Sequence, residues 1–149
     1  MRSEIRTARP SDLGAMLSID RVAAAGDAGR AELLQRSVAS GECLVHLQHA
    51  SLTGFVVTRP AHFFGRDFVE LLVVAASSRR AGTGRALLRA AFACAGTDQV
   101  FTSTNTSNAA MRGLLAAEEW SFSGELAGLD QGDPELVFFK SRRNLSEPD

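Results

Sequence analysis

Hydrophobic positions change their period several times along the chain, and each change predicts an element. Residues 5–8 form a short first strand, closed by Arg9-Pro10, because proline restricts the residue before it and Ser11 or Asp12 can cap a helix. Leu13, Met16 and Leu17 then recur at helical spacing, and Leu33, Leu34 and Val38 stripe a second helix over residues 28–38. Gly26 and Gly29 are candidate breaks between the two helices, and Gly41 closes the second. Residues 43–47 and 51–58 are strands, with His49-Ala50 as a candidate hairpin turn and Gly54 inside the second. A break is expected at residues 59–62. Residues 67–74 are apolar at nearly every position except Glu70, the pattern of a central strand covered on both faces.

Residues 75–80 are small and polar, and Leu87, Leu88, Ala91 and Phe92 mark a helix over residues 84–95. A strand begins at Val100. Ser107 or Asn108 caps a helix running to Ala117, with Met111, Leu114 and Leu115 facing inward. Strands around residues 120–126 and 136–139 flank a turn at residues 130–134. The predicted order is β-α-α-β-β-β-α-β-α-β-β, which reads as an α/β (α+β) fold, a mixed central sheet flanked by helices. Residues 1–143 make one domain on this reading, and residues 144–149 a frayed tail.

Composition narrows the function classes. The 149 residues carry 16 Lys+Arg against 17 Asp+Glu, a net charge of -1, without the basic excess of a general nucleic-acid or acidic-membrane binder. No segment reaches the roughly 18 apolar residues of a membrane span, and no apolar run of signal-peptide type comes after the first residues. The expectation is a cytoplasmic protein with no nucleic-acid or membrane partner. Cys43 and Cys94 lie far apart in apolar runs, and His46, His49 and His62 have no metal-ligand spacing, so no metal is expected and the histidines read as rim residues. There is no tyrosine.

The stretch Arg79-Arg80-Ala81-Gly82-Thr83-Gly84-Arg85 stands between the strongest strand and a helix. Gly82 permits a tight turn, and Gly84 lets the helix begin close to a ligand. The N–H groups of residues 81–85, with the helix dipole behind them, suit a pyrophosphate, although a plain strand-to-helix turn uses the same residues. Gly-Lys-Ser/Thr is absent, and Leu87 stands where a dinucleotide fingerprint needs a small residue.

Arg79-x-x-Gly82-x-Gly84, five residues after Val74, resembles the acetyl-CoA motif of GNAT N-acetyltransferases, Gln/Arg-x-x-Gly-x-Gly/Ala after a central strand. The opening Ile5-Arg6-x-Ala8 with Asp12 is similar to the family's start. Residues 107–115 and 129–140 resemble a small bacterial-style subgroup. The resemblance covers nearly the whole chain. It implies the GNAT acyl-CoA N-acyltransferase fold, acetyl-CoA as co-substrate, and transfer of the acetyl group to a primary amine, first of a small molecule and second of a peptide or protein. It also implies that backbone groups of Leu72, Val73 and Val74 bind the pantetheine arm, with an N–H, assigned to Val74, on the thioester carbonyl, where it stabilises the charge that develops.

Glu70 is the one ionisable side chain inside the strongest strand. It is the candidate general base, with burial favouring a raised pKa; pairing with Arg66 or another neighbour at the sheet edge, or recognition of substrate, are the other readings. Family members place a tyrosine near the CoA sulfur where this chain has Leu115. The thiolate then leaves unprotonated, tolerable for a thiol of pKa about 8.5, or takes a proton from water, Ser103, Ser107 or Asn108, or the protein binds acyl-CoA and catalyses poorly. Glu119-Trp120 replaces the family's Gly-aromatic pair. Asn108 either caps its helix or binds the CoA arm. Residues 63–67 read as a loop before the main strand, and its Phe63-Phe64 either lines the acceptor pocket, with a dimer contact as a variant, or packs in the core. Asp130 and Asp133 either attract a cationic amine or complete a turn. Phe101, Phe138, Phe139 and Trp120 read as core. A homodimer through a sheet edge is possible.

Overall fold

Helix-capping side chains and alternating strands arrange the described residues, 2–142, of the computed structural model. The elements are β1 (Ser3–Thr7), α1 (Leu13–Ile19), α2 (Arg21–Ala24), α3 (Ala28–Ala39), β2 (Cys43–Gln48), β3 (Ser51–Phe63), β4 (Arg66–Val74), α4 (Thr83–Cys94), β5 (Gln99–Asn105), α5 (Ala109–Ala117), β6 (Ser121–Leu126) and β7 (Glu135–Ser141). The strands form one mixed sheet in the order β1-β2-β3-β4-β5-β7-β6. Strands β4 and β5 run parallel, and α4 supplies the crossover that parallel neighbours require. The pairs β1–β2, β2–β3, β5–β7 and β6–β7 are antiparallel. The frayed tail expected at residues 144–149 lies outside the described residues.

The described residues divide into two compact units, one of those up to 58 together with 71–94, the other of 59–70 together with those from 95 on. In the first, alternation puts Cys43 and Val45 of β2 and Phe55 and Val57 of β3 against Met16 of α1 and Leu34 and Val38 of α3. Met16, Leu34 and Phe55 are fully buried, each contributing about 1.5–3 kcal/mol of transfer free energy. The charges here are anchored. Asp12 takes two bonds from Arg6, at 2.7 and 3.1 Å, and one from the Arg9 N–H at 2.7 Å. Asp20 caps α2 through Val22 and Ala23 and holds Arg30 at 2.8 Å; Asp27 caps α3 through the Arg30 N–H. The short helix α2 is absent from the sequence pattern, because four residues carry no period; the Asp20 cap makes it. Gly29 is not a break but lies inside α3.

His49 and Ala50 both have positive φ, as a two-residue type I′ hairpin requires, so the expected β2–β3 turn forms without asparagine or glycine. His46 departs from its expectation as a rim residue. It is buried, and its Nδ1 lies 2.6 Å from Thr53 Oγ1. The Thr53 hydroxyl donates to the His46 carbonyl, so the ring nitrogen carries the proton of the other bond, and burial pushes the ring pKa down. Burial likewise pushes the Cys43 thiol up to about 12, which keeps it unreactive.

In the second unit, Asp67 clasps three segments. Its oxygens accept from the N–H groups of Ala61 and Gly96, and its own N–H donates to Thr97. Thr102 of β5 donates to the Val69 carbonyl, and burial alternates cleanly along β5. Two expectations fail here. Residues 59–62 continue β3 instead of breaking it, because Pro60 sits at an exposed position and the Ala61 N–H finds Asp67. The segment 63–67 is no open loop: Phe64 and Gly65, both at positive φ, are the tight turn between β3 and β4.

Helix α5 ends in a Schellman motif, with Trp120 N–H to Leu115 O at 2.9 Å and Glu119 N–H to Ala116 O at 3.1 Å. Glu119 sits in this turn at φ +62°. No described helix is long and apolar enough to cross a membrane.

Arg6 and the Arg9 N–H hold the Asp12 carboxyl below its usual range. Its contribution is therefore present above the unfolded-state pKa, about 3.9, and lost as pH falls through the lower folded value. Asp12→Asn should cost about 1–3 kcal/mol at pH 7, with the difference shrinking in urea titrations repeated in acid. Glu119→Gly should add about 0.5–1 kcal/mol, since an L-residue in the left-handed region costs about 1–2 kcal/mol and glycine's greater unfolded freedom returns part of it; the urea midpoint measures it.

Candidate functional site

The first unit carries the glycine loop. A 3-10 turn (Ala76–Ser78) follows β4, and the chain then reaches Arg80 at φ +65° and Gly82 at φ +85° before α4 begins at Thr83. Gly82 meets open space, so glycine is required there by conformation and not by crowding. The first bond of α4 runs from the Ala86 N–H to the Gly82 carbonyl. The N–H groups of Thr83 and Gly84 precede it. They are the first-turn donors, which an α-helix leaves without an intrahelical carbonyl, at the positive end of a twelve-residue dipole. Arg79, Arg80, Ala81, Gly82 and Arg85 are exposed, whereas Thr83 is buried. A donor-rich helix start flanked by three arginines suits a multiply charged anion.

What places α4 is a residue to which sequence reasoning assigns no role. A Cβ on Gly54 would stand 2.8 Å from the Val73 carbonyl and 3.0 Å from both Leu87 Cδ1 and Thr83 Cγ2. Glycine in β3 thus lets the end of β4 and the start of α4 close on one point. The Ala75 N–H bonds the Thr53 carbonyl at 2.8 Å and fixes the exit of β4. An isolated glycine inside a strand is the signal that could have found it.

The end of β4 differs from the expected doubly covered strand. Leu71, Leu72, Val73 and Val74 are all half-buried. Leu71 and Val73 pack on the core of this unit. The parallel register with β5 covers Asp67, Phe68 and Val69, and β4 continues to Val74.

The remaining candidates lie in the second unit. Glu70 is half-buried and pairs with Arg59, Nη1 to Oε2 at 3.4 Å, with side-chain exposures of 24% and 25%. The partner is not Arg66, which instead donates to the Phe64 carbonyl and to Gln99. Phe63 packs against Phe64, Phe68 and Phe101 with ring centroids 5.0–5.2 Å apart, and Phe101 stacks on Phe139 at 5.5 Å. Phe64 is 81% exposed. Asn108 caps α5, its Oδ1 accepting from Met111 at 3.1 Å. Both oxygens of Asp133 accept from Ser107, at 2.9 and 2.6 Å, and Asp130 accepts from Asn105, so the two aspartates tie their segment to the residues just before α5. Leu115 is wholly buried and offers no proton.

Burial pushes the Glu135 carboxyl up; a hydrogen bond from Ser103, 3.4 Å from Oε2, opposes this, and the charges of Asp130 and Asp133 add to it. Sequence reasoning does not single out Glu135, because only the β5–β7 pairing brings it beside Ser103.

No family model and no curated protein matches the chain. Solved structures do. An acetyltransferase of the GNAT family from Bacillus cereus is 28% identical over 97% of this chain and 100% of its own, with a TM-score of 0.87. At 19% identity, a Salmonella typhimurium acetyltransferase solved with its cofactor acetyl-CoA shares the fold over 100% of this chain and 99% of its own, with a TM-score of 0.76. A ribosomal-protein-alanine N-acetyltransferase from Brucella melitensis, 23% identical, covers 93% of this chain and 99% of its own at a TM-score of 0.74.

Gly54→Ala should lower the melting temperature, since overpacking costs about 1–3 kcal/mol. Gly14→Ala, where nothing lies within 4 Å, should not lower it.

Proposed function

The chain belongs to the GNAT family of N-acetyltransferases, and from that premise we propose that it transfers the acetyl group of acetyl-CoA to the primary amine of a small molecule. The observation that carries the reading is the start of α4: first-turn N–H donors behind Gly82, beside Arg79, Arg80 and Arg85, shortly after β4. These residues fit a pyrophosphate by charge and by donor geometry. The half-buried backbone of Leu72, Val73 and Val74 would take the pantetheine amides, and the Val74 N–H would polarise the thioester carbonyl. Bound there, acetyl-CoA supplies an activated acyl group.

The protein's own work is then alignment and proton handling. Ordering the two reactants removes most of the entropic cost of their encounter. Glu70 accepts the proton that the amine loses, directly or through water, and Arg59 holds its carboxylate in place. Asn108 adds a cap to α5 and, in this proposal, a contact to the CoA arm. The carbonyl-polarising N–H carries more of the barrier than it would in a protein with an acid at the sulfur, because Leu115 is buried and the chain has no tyrosine. That same absence favours a second reading, an acyl-CoA-binding protein with weak catalysis.

Release of free thiol from acetyl-CoA, measured against a panel of small amines and an N-terminal peptide, tests both. Amine-dependent release that falls about 100-fold or more in Glu70→Gln supports the transferase with Glu70 as base. Release preferring the peptide moves the acceptor class. Tight binding without release supports the second reading, and neither binding nor release overturns both.

A further inference from the structure

The second unit holds a polar group that the proposed reaction does not use. Glu135 opens β7, paired with Asn105 of β5. Its Oε2 is 3.4 Å from the Ser103 hydroxyl, while its Oε1 is buried with no hydrogen-bond partner among the described residues. Its acidic neighbours are provided for: Asp130 has Asn105, and Asp133 has Ser107. A carboxylate oxygen shut away from water without a donor is costly, so the arrangement asks for a donor from outside the chain.

The surroundings narrow the kind of molecule that brings it. Ser103 and Glu135 share a sheet face, as their contact shows, and alternation puts Phe101 and Phe139 on that same face. Phe63 and Phe68 continue it, ring against ring, and all four rings are only half-buried. An apolar aromatic strip therefore ends at a carboxyl that lacks a donor. Its charge complement is an ammonium or other N–H donor, and its shape complement is a flat apolar body.

We infer that Glu135 recognises the acceptor, and that the acceptor is an amine carried on an aromatic or similarly apolar body lying along Phe63, Phe68, Phe101 and Phe139. The last side-chain torsion of glutamate is soft, so the carboxyl turns Oε1 toward the incoming donor at little cost. Burial raises the Glu135 pKa, so recognition of a cation strengthens as pH rises through it. This inference rests on the acetyl-transfer reading and names its substrate class.

The test uses the full chain, with 2-phenylethylamine as aromatic probe and n-butylamine as the small alkyl comparison. Calorimetry should show 2-phenylethylamine binding the wild type more tightly than n-butylamine, and at least tenfold more weakly to Glu135→Gln. The wild-type affinity should fall toward acid, and the Glu135→Gln affinity should be flat. In turnover, KM for the amine should rise more than kcat falls, and KM for acetyl-CoA should stay put. Equal affinity for wild type and Glu135→Gln, no 2-phenylethylamine binding at all, or a Glu135→Gln protein that melts well below wild type each overturns the inference, the last by assigning Glu135 to structure. Acetyl transfer that proceeds while Glu135→Gln keeps its amine affinity overturns this inference alone. Absence of transfer to every amine overturns the activity on which it rests.

Discussion

The missing side chain of Gly54 is the constraint on which the glycine loop depends. Any Cβ there would press on the Val73 carbonyl and on the side chains of Thr83 and Leu87. One atom would thus push apart the end of β4 and the start of α4. The strand end and the helix start are the two features that the proposed cofactor needs at a fixed spacing. The bond from the Ala75 N–H to the Thr53 carbonyl, next to Gly54, locks the same junction from the other side. The loop can then be small and polar, because it does not have to hold the elements it connects.

Much of the fold is legible in the sequence because it rests on local periodicity. The long helices, the strands and the order of elements come from stripes and alternation, and Gly82 appears where a positive φ is needed. The illegible parts depend on partners distant in sequence. Pro60 reads as a break until Asp67 supplies an acceptor for the next N–H. Phe64-Gly65 reads as a loop because phenylalanine is a poor turn residue; the hairpin forms with Phe64 exposed and its neighbour Phe63 tied into a ring cluster. His46 reads as polar surface until Thr53 is found across the hairpin.

The candidate site divides the same way. The loop from Arg79 to Arg85 is a contiguous motif and can be read directly. Glu70 is visible as a charge in an apolar run, but its partner is not, since Arg59 reaches it across the β3–β4 hairpin. Asn108 reads as a cap or as a ligand contact, and the bond to Met111 accounts for the cap. Leu115 marks a place where the family pattern is absent from the sequence, and its complete burial shows that the position presents no polar group.

Three of the chain's buried carboxylates show why the half-buried Glu135 carries meaning. Asp12 has three donors, Asp20 has Arg30 and two backbone N–H groups, and Asp67 joins three segments. Each serves to hold elements together, and each has both oxygens engaged. Glu135 departs from that habit with one oxygen unsatisfied, and it does so at the end of a sheet face whose aromatic rings are not fully covered. A structural carboxylate at this position would gain from a donor, and a glutamine could supply its own N–H to the Ser103 hydroxyl. Retaining an acid at a cost in the free protein makes physical sense where the charge is used in another state, and recognition of a cationic amine is such a state.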